Sequence, residues 1–301
     1  MLSILLPLYN RDIRGPLRAL HRQAESTGVP FEIWCIEDGS DERYVALNRE
    51  IAGLTGVYYE ALGENIGRSA IRNRLAERSR FEYLLFMDAD FQLLREDYLA
   101  TYLSARAPDA VLVGGSRYPG QRPEEPERYL RWRYGVAREQ ISLGRRRKLG
   151  WKAFTTHHFF LHRRAFERVH FDETLRTYGH EDTLFGAELA AAGFQIRHLE
   201  NPLMHTEIDP AGVFLGKVAD SVANLYRLKL QGKQIPSGLW KAFEVVRTLR
   251  LANALSIAFP FLAPAIRRQL SGRHALLFLL DGYKLCLLCH LAGTVSGRKA
   301  R

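Results

Sequence analysis

With 301 residues, 47% of them hydrophobic and 25% charged, the chain can bury a sizeable core in one large or two moderate domains, and wholesale disorder is excluded. Three cysteines, Cys35, Cys286 and Cys289, are too few for a disulfide framework and point to a reducing compartment. The net charge of +10 is uneven: residues 206–301 carry fourteen Lys/Arg against five Asp/Glu, so the first 205 residues are almost neutral. A basic tail rich in Leu, Ala and Phe suits an anionic membrane surface better than a nucleic-acid groove, so no nucleic-acid partner is expected.

Apolar runs bounded by turn residues predict strands over 2–8, 31–37, 57–61 and 83–87, with helical spacing between them over 13–27, 43–52 and 68–80. Met1 runs straight into the first strand without a basic n-region, so no secretory leader is expected and a cytoplasmic location is. A helix over 97–107 and a strand over 110–118 continue the pattern. Residues 119–150 are Pro-punctuated and then arginine-dense, ending in 145-RRRK-148 before Leu149 and Gly150, and read as a mobile excursion that could close over the active face. A strand turning into a helix follows over 158–169, then a helix within 180–193 with a stop at Gly193, and a last strand over 195–200 leading into 201-NPLMHTE-207. Short strands alternating with helices predict a mainly parallel sheet, whose ligands collect at the carboxyl ends of the strands. Those ends carry polar clusters: 9-YN-10, 38-DGSD-41 and 88-DAD-90.

Past residue 210 the alternation stops, and helices are expected over 211–231, 239–258 and 274–292, with Pro236, Pro260 and Pro264 as breaks. The longest uncharged stretch, 251–266, is 16 residues with two prolines, short of the ~20 residues a membrane span needs. Helices lying on a membrane or packed on the N-terminal α/β domain are therefore expected, and the domains are read as 1–210 and 211–301. Cys286 and Cys289 have C-x-x-C spacing inside a leucine-rich run without a second pair, and read as core or lipid-facing residues rather than a metal knuckle.

The chemistry-bearing residues cluster at the predicted strand ends. Asp88 and Asp90 lie two apart, and in extended backbone that spacing aims both carboxylates to one side, where they could hold a divalent cation; solvated turn carboxylates have the same look. Asp38 either makes a simple Asp-Gly-Ser turn or accepts a hydrogen bond from a nucleotide base. In 65-NIGRSAIRN-73 a glycine and two arginines open a helix, where they either face a pyrophosphate or form a solvated face. Glu181 and Asp182 are acidic residues in a helix's first turn, and His205 follows a strand as either a hydrogen-bonded bystander or a ligand.

The ordered set 4-ILLPLYNR-11, 34-WCIEDGSDE-42, 65-NIGRSAIRN-73, 86-FMDAD-90 and 179-GHEDTLFG-186 resembles the family-2 glycosyltransferases over about the first 205 residues. The resemblance implies an α/β GT-A fold and inverting transfer of a sugar from a nucleotide-diphosphate donor, with uridine as the habitual base and Mn²⁺ or Mg²⁺ as cofactor. By that resemblance Pro7, Tyr9 and Asn10 lie near base and ribose, Asp38 binds the base, and Asn65, Arg68 and Arg72 surround the nucleotide. Asp88 serves ribose and metal, Asp90 and His205 hold the metal, Asp182 is the base that deprotonates the acceptor, and Glu181 orients it. His157 and His158 depart from the small or amide residues expected in that acceptor-side segment.

The expected function is thus hexosyl or N-acetylhexosaminyl transfer to a glycan or lipid-linked acceptor, in cell-surface polysaccharide or glycolipid synthesis at the cytoplasmic membrane face. Two other readings are a sugar-phosphate nucleotidyltransferase, disfavoured because 7-PLYNRD-12 has no glycine-rich loop, and a non-catalytic basic membrane binder, which leaves the five carboxylates without a purpose.

Overall fold

The computed structural model describes residues 1–299, with side chains described through residue 294. The described chain divides into two compact units: Met1–Pro119 with Gln140–Arg176 and Glu181–Glu207, and Gly120–Glu139 with Thr177–His180 and the residues from Ile208 onward. Two short segments inside the expected first domain thus group with the C-terminal helices.

In the first unit the chain runs β1 (Leu2–Leu8), α1 (Arg14–Ser26), β2 (Phe31–Asp38), α2 (Glu42–Asn48), β3 (Val57–Leu62), α3 (Arg68–Arg78) and β4 (Tyr83–Met87). Next come β5 (Phe91–Leu93), α4 (Tyr98–Ser104), β6 (Ala110–Val113) and β7 (Ser116–Arg117). The second unit contributes α5 (Tyr129–Tyr134); the first resumes with α6 (Leu143–Leu149), β8 (His158–His162), α7 (Arg163–Arg168), α8 (Glu181–Ala191), β9 (Gln195–His198) and β10 (Leu203–His205).

The main sheet has the order β3-β2-β1-β4-β8-β6-β9. All its neighbours are parallel except β8, which runs against both β4 and β6 because the chain re-enters the sheet at the same carboxyl end from which β6 left it. Alternate side chains feed two cores. Ile4, Leu6, Ile33, Leu85 and Leu112 pack with Leu17 and Leu20 of α1 and Tyr98 of α4, while Leu5, Ile36, Phe86, Val111 and Phe159 pack with Ile71 and Leu75 of α3 and Phe185 of α8. The strand order reverses between β1 and β4, so the crevice at their carboxyl ends is the switch point of the sheet. The β1–β4 ladder stops at Leu5↔Phe86, two residues before Pro7, which lacks the N–H a further rung would use.

The expected single strand over 110–118 is instead two. It breaks at Gly114 and Gly115, and β7 joins a small sheet of order β5-β10-β7 that the sequence reading did not contain. A Cβ at Gly114 would lie 2.3 Å from the Asn201 carbonyl oxygen and 2.4 Å from His158 Cε1, so only glycine fits the corner. Nor is the basic run 145–148 wholly a surface feature. Arg146 is 4% exposed and donates to the carbonyls of Val113 (3.2 Å), Gly114 (3.2 Å) and Leu199 (2.9 Å), stitching the ends of β6 and β9.

In the second unit the helices are α9 (Ala211–Leu230), α10 (Gly238–Thr248), α11 (Ala252–Leu270) and α12 (Leu277–Lys299), around Leu130, Phe214, Leu215, Leu280 and Tyr283. The helix expected over 239–258 is broken by a 116° bend between α10 and α11, where Arg250 takes a positive φ of 60°. Pro260 and Pro264 lie inside α11 rather than ending it. Pro260 has no N–H for the carbonyl of Ser256 four residues back, and His290 Nδ1 meets that oxygen at 3.1 Å from α12, replacing the lost donor. Among the described residues, one helix window, Leu277–Thr294, is long and apolar enough to cross a membrane, with a mean hydropathy of 1.3.

Candidate active site

The site grows out of the carboxyl ends of β1, β2 and β4. At the end of β2 the Asp38 carboxylate accepts hydrogen bonds from the backbone N–H groups of Ile66 (2.7 Å) and Gly67 (3.2 Å), and its carbonyl accepts from Asn65 Nδ2 (2.9 Å). Burial pushes the Asp38 carboxyl up, against the pull of those two N–H groups and of the Arg72 charge. The side chain thus fixes the loop that opens α3. Gly39, at φ +70°, lets that loop close: a Cβ there would sit 2.4 Å from the Asn65 nitrogen.

The turn after β1 is tied to the same place. Asn10, at φ +50°, accepts from the Asp41 N–H (2.7 Å) and donates its own N–H to Ser40 Oγ (2.9 Å). Tyr9 beside it stands exposed, as does Asn65, while Pro7 is half-buried.

Asp88 and Asp90 do not aim at one point as extended backbone would have them do. The strand ends at Met87, and the two carboxylates go to different partners. Asp88 Oδ1 accepts from Arg72 Nη2 at 2.5 Å, and its N–H donates to the carbonyl of His157 (2.9 Å). Arg72 is 2% exposed, donates from Nη1 to the Arg68 carbonyl (3.0 Å), and lies over the Phe171 ring at 5.6 Å. Rather than a solvated face, this helix start delivers a buried cation among the acids.

Asp90 turns toward histidines. The small sheet pairs His205 with Phe91, and the Thr206 N–H donates to the Asp90 carbonyl at 2.9 Å, which sets His205 Nε2 3.1 Å from Asp90 Oδ2. The other oxygen, Oδ1, is 4.0 Å from His157 Nε2, a residue the sequence reading set aside as an acceptor-side oddity. Its neighbour His158 faces the other way, into the core, where Nδ1 accepts from the hydroxyls of Tyr98 (3.0 Å) and Tyr102 (2.8 Å) and Nε2 donates to the Gly115 carbonyl (2.6 Å). Strand alternation therefore separates two adjacent histidines into a core residue and a site residue. Burial pushes the Asp90 carboxyl up, but the fields of His205, His157, Arg11 and Arg68 outweigh it and hold the group below the usual carboxylate range.

The second acidic pair opens α8. Glu181 is buried and lies 3.5 Å from Arg68 Nη1, and Asp182 Oδ1 accepts from the N–H (2.6 Å) and hydroxyl (3.1 Å) of Thr183. Burial, with the adjacent Glu181 charge, pushes the Asp182 carboxyl up to about 6, against the Thr183 bonds and the Arg72 field. The charge of Arg72 is thus felt at Asp38, Asp88 and Asp182 together, which ties three motifs far apart in sequence to one place.

Two side chains fit a divalent cation. Ligand atoms ~2.1 Å from an octahedral ion stand ~3.0 Å apart, close to the 3.1 Å between Asp90 Oδ2 and His205 Nε2. Asp90 Oδ1, by contrast, is buried without a hydrogen-bond partner. Among the described residues no group of three or more His, Cys, Asp or Glu side chains is already set at metal-ligating geometry. An ion that keeps water and substrate phosphates in its shell asks for only one or two protein ligands.

The sequence matches the model of Glycosyl transferase family 2 over residues 3–173, more than half of the chain. The chain belongs to glycosyl transferase family 2. The match includes Asp38, Asp88, Asp90 and His157, while Glu181, Asp182 and His205 lie beyond it. Among curated proteins the family 2 chain is 29% identical over 113 residues to "Putative glycosyltransferase EpsH" of Bacillus subtilis (strain 168), a match covering 37% of this chain and 32% of that one. The chain thus aligns with about a third of the length of that relative.

Among solved structures, the mannosyltransferase PcManGT of Pyrobaculum calidifontis, in complex with GDP-Man and Mn²⁺, is similar at a TM-score of 0.59 and 14% identity, covering 98% of this chain and 86% of that one. Residues 1–349 of S. aureus TarS, in complex with UDP, are similar at 0.52 and 16%, covering 100% and 92%. These likenesses give this family 2 chain the GT-A fold, in keeping with the parallel order β3-β2-β1-β4 and the antiparallel β8.

Proposed function

We propose that the protein transfers a sugar from a nucleotide-diphosphate donor to an acceptor hydroxyl, with inversion at the anomeric carbon. The observation that carries this reading is the convergence on the β1–β4 crevice: Asp90 beside His205, and Arg72 bearing at once on Asp38, Asp88 and Asp182.

Asp38, held by Ile66 and Gly67, offers its remaining lone pairs toward a base, and the neighbouring Tyr9–Asn10 turn flanks the nucleoside. Arg68 stands beside Glu181 and acts on Asp90, so it is placed to meet phosphate oxygens on one side and an acceptor-orienting carboxylate on the other. Asp182 takes the proton of the acceptor hydroxyl. A carboxylate pushed up to about 6 is a stronger base than an ordinary aspartate yet is ionised at neutral pH, which suits that task. Asp90 and His205 would hold a divalent cation, whose chemistry when bound is to neutralise charge on the departing diphosphate. That PcManGT was crystallised with Mn²⁺ and GDP-Man, and TarS with UDP, supports a metal and a nucleotide donor, with uridine, implied by the family resemblance, and guanosine as the two candidate bases.

The acceptor is read as a membrane-proximal or lipid-linked glycan, reached from the cytoplasmic membrane face. Support comes from the second unit. Ile257 and Phe261, one turn apart on α11, are 70% and 80% exposed, and Leu262 is exposed beside them. Arg267 and Arg268 close the same helix, and Arg247 and Arg250 stand at its bend with α10. Apolar side chains flanked by cations fit the interface of an anionic leaflet.

The test is a thermal-shift and turnover panel of UDP, GDP and other nucleoside diphosphates, each with Mn²⁺, with Mg²⁺ and without metal. A donor transferase gains stability from one nucleotide only when a divalent ion is present. No stabilisation by any nucleotide under any metal condition would overturn the reading.

A further inference from the structure

Beyond Asp90 and His205, one more side chain is directed at the same gap. His157 is 5% exposed, and its Nε2 is buried without a hydrogen-bond partner, as is Asp90 Oδ1 opposite it at 4.0 Å. A buried polar atom with no partner is costly, and two of them facing one another mark a place built for something absent from the chain itself.

The other ring nitrogen of His157 is engaged: Nδ1 is 2.7 Å from Ser116 Oγ, and with Nδ1 carrying the proton the lone pair of Nε2 points at Asp90. The ring is also held by stacking. It lies against His205 at 5.1 Å between centroids with an interplanar angle of 29°, and His205 in turn lies against Tyr118 at 5.1 Å and 20°. Two imidazoles bound side by side to an octahedral ion place their ring centres ~4.7 Å apart, given nitrogen–metal bonds of ~2.2 Å. The observed 5.1 Å is close to that spacing.

We infer that His157 is a third protein ligand of the cation held by Asp90 and His205, and that this two-imidazole, one-carboxylate set selects Mn²⁺ over Mg²⁺. The inference rests on the donor-transferase reading and deepens it. Imidazole ligands favour first-row transition ions, whereas Mg²⁺ prefers oxygen and gives up water reluctantly. The 4.0 Å from Asp90 Oδ1 to His157 Nε2, against 3.1 Å on the His205 side, means that His157 completes its contact as the ion enters. A site with three protein ligands also binds the ion before the nucleotide arrives.

The experiment is Mn²⁺ binding to the full chain without nucleotide, read by titration and by pulsed EPR, which detects ¹⁴N nuclei bonded to Mn²⁺. His157→Asn keeps a polar atom near Ser116 and removes Nε2; His205→Asn is its counterpart, and thermal unfolding of each variant shows that it is folded. Wild type is expected to show two imidazole nitrogens and at least tenfold preference for Mn²⁺ over Mg²⁺. His157→Asn is expected to show one nitrogen, at least tenfold weaker Mn²⁺ binding, and a smaller Mn²⁺/Mg²⁺ ratio. A folded His157→Asn with the wild-type spectrum and affinity overturns the inference, as does a wild-type spectrum with a single nitrogen, and neither touches the transferase reading. That reading falls separately, on the nucleotide panel.

Discussion

Arg72 and Asp88 form an ion pair at 2.5 Å in which the cation is almost wholly buried and the carboxylate a quarter exposed. Removing Arg72 leaves the Asp88 carboxylate without its counterion and takes from Asp38 and Asp182 a cation whose charge acts on both. Arg72→Met is expected to destabilise the protein by about 3 kcal/mol and to abolish transfer, because Asp88 is then unpaired in the crevice proposed to take the donor. Arg72→Met with Asp88→Leu should recover most of the stability and none of the activity, measured by urea denaturation beside a turnover assay. Recovery of both would mean that the pair is purely structural.

Asp182 predicts a pH dependence with a definite sign. Transfer should rise with pH through about 6 and then level off, as the carboxylate that takes the proton ionises. Stability runs the other way. The folded-state value lies above the ordinary 3.8, so the contribution is fully present below about 3.8 and is lost as pH rises through about 6. Asp182→Asn should therefore lose about a thousandfold in kcat, yet unfold at a higher temperature than wild type at pH 7.5, by an amount on the order of 1–3 kcal/mol. At pH 4 that stability gain should shrink toward zero; an equal gain at both pH values would contradict the linkage.

Gly39 predicts intolerance of the smallest side chain. At φ +70° with the Asn65 nitrogen 2.4 Å from the added carbon, Gly39→Ala must push away the loop that Asp38 holds. A loss of more than about 2 kcal/mol is expected, with weaker nucleoside-diphosphate binding, whereas Gly63→Ala, where nothing lies within 4 Å, should be close to neutral. Thermal unfolding with and without nucleotide distinguishes the two.

The exposed face of α11 predicts lipid-dependent partition. Ile257→Glu with Phe261→Glu should reduce sedimentation with phosphatidylglycerol vesicles at least tenfold and leave soluble turnover unchanged, since both side chains stand in solvent. Wild-type binding should weaken with added salt and be small on phosphatidylcholine alone. Equal sedimentation of variant and wild type would remove the membrane assignment.

Much of the first unit was legible in the sequence. The runs 2–8, 31–37 and 83–87 are nearly continuous apolar stretches because the strands are covered on both faces, and their polar ends mark the crevice without any structural knowledge. Family motifs then named Asp38, Asp88, Asp90 and Asp182. What could not be read was how these side chains divide. Asp88 and Asp90 part company because the strand ends one residue before them, and His205 reaches Asp90 only through β5 and β10, strands of three residues each. His157 was missed for a related reason: next to His158, it shows its role only once strand register decides which imidazole faces inward. Arg146 departs from the mobile excursion expected over 119–150 because nothing in a basic run shows which of its members turns under a sheet edge. Pro260 misled because its helix survives through a donor on another helix, 30 residues away.

The two tyrosine hydroxyls and the Gly115 carbonyl around His158 leave its proton one place to be. Burial pushes that imidazole well below its ordinary value, so it remains uncharged across the neutral range. In nitrogen-edited NMR of the imidazoles, His158 should therefore appear as a single slowly exchanging Nε2–H resonance that holds its position through a pH titration. The protein thereby carries its own frequency marker on the residue next to His157, against which the pH response of the other imidazoles can be read.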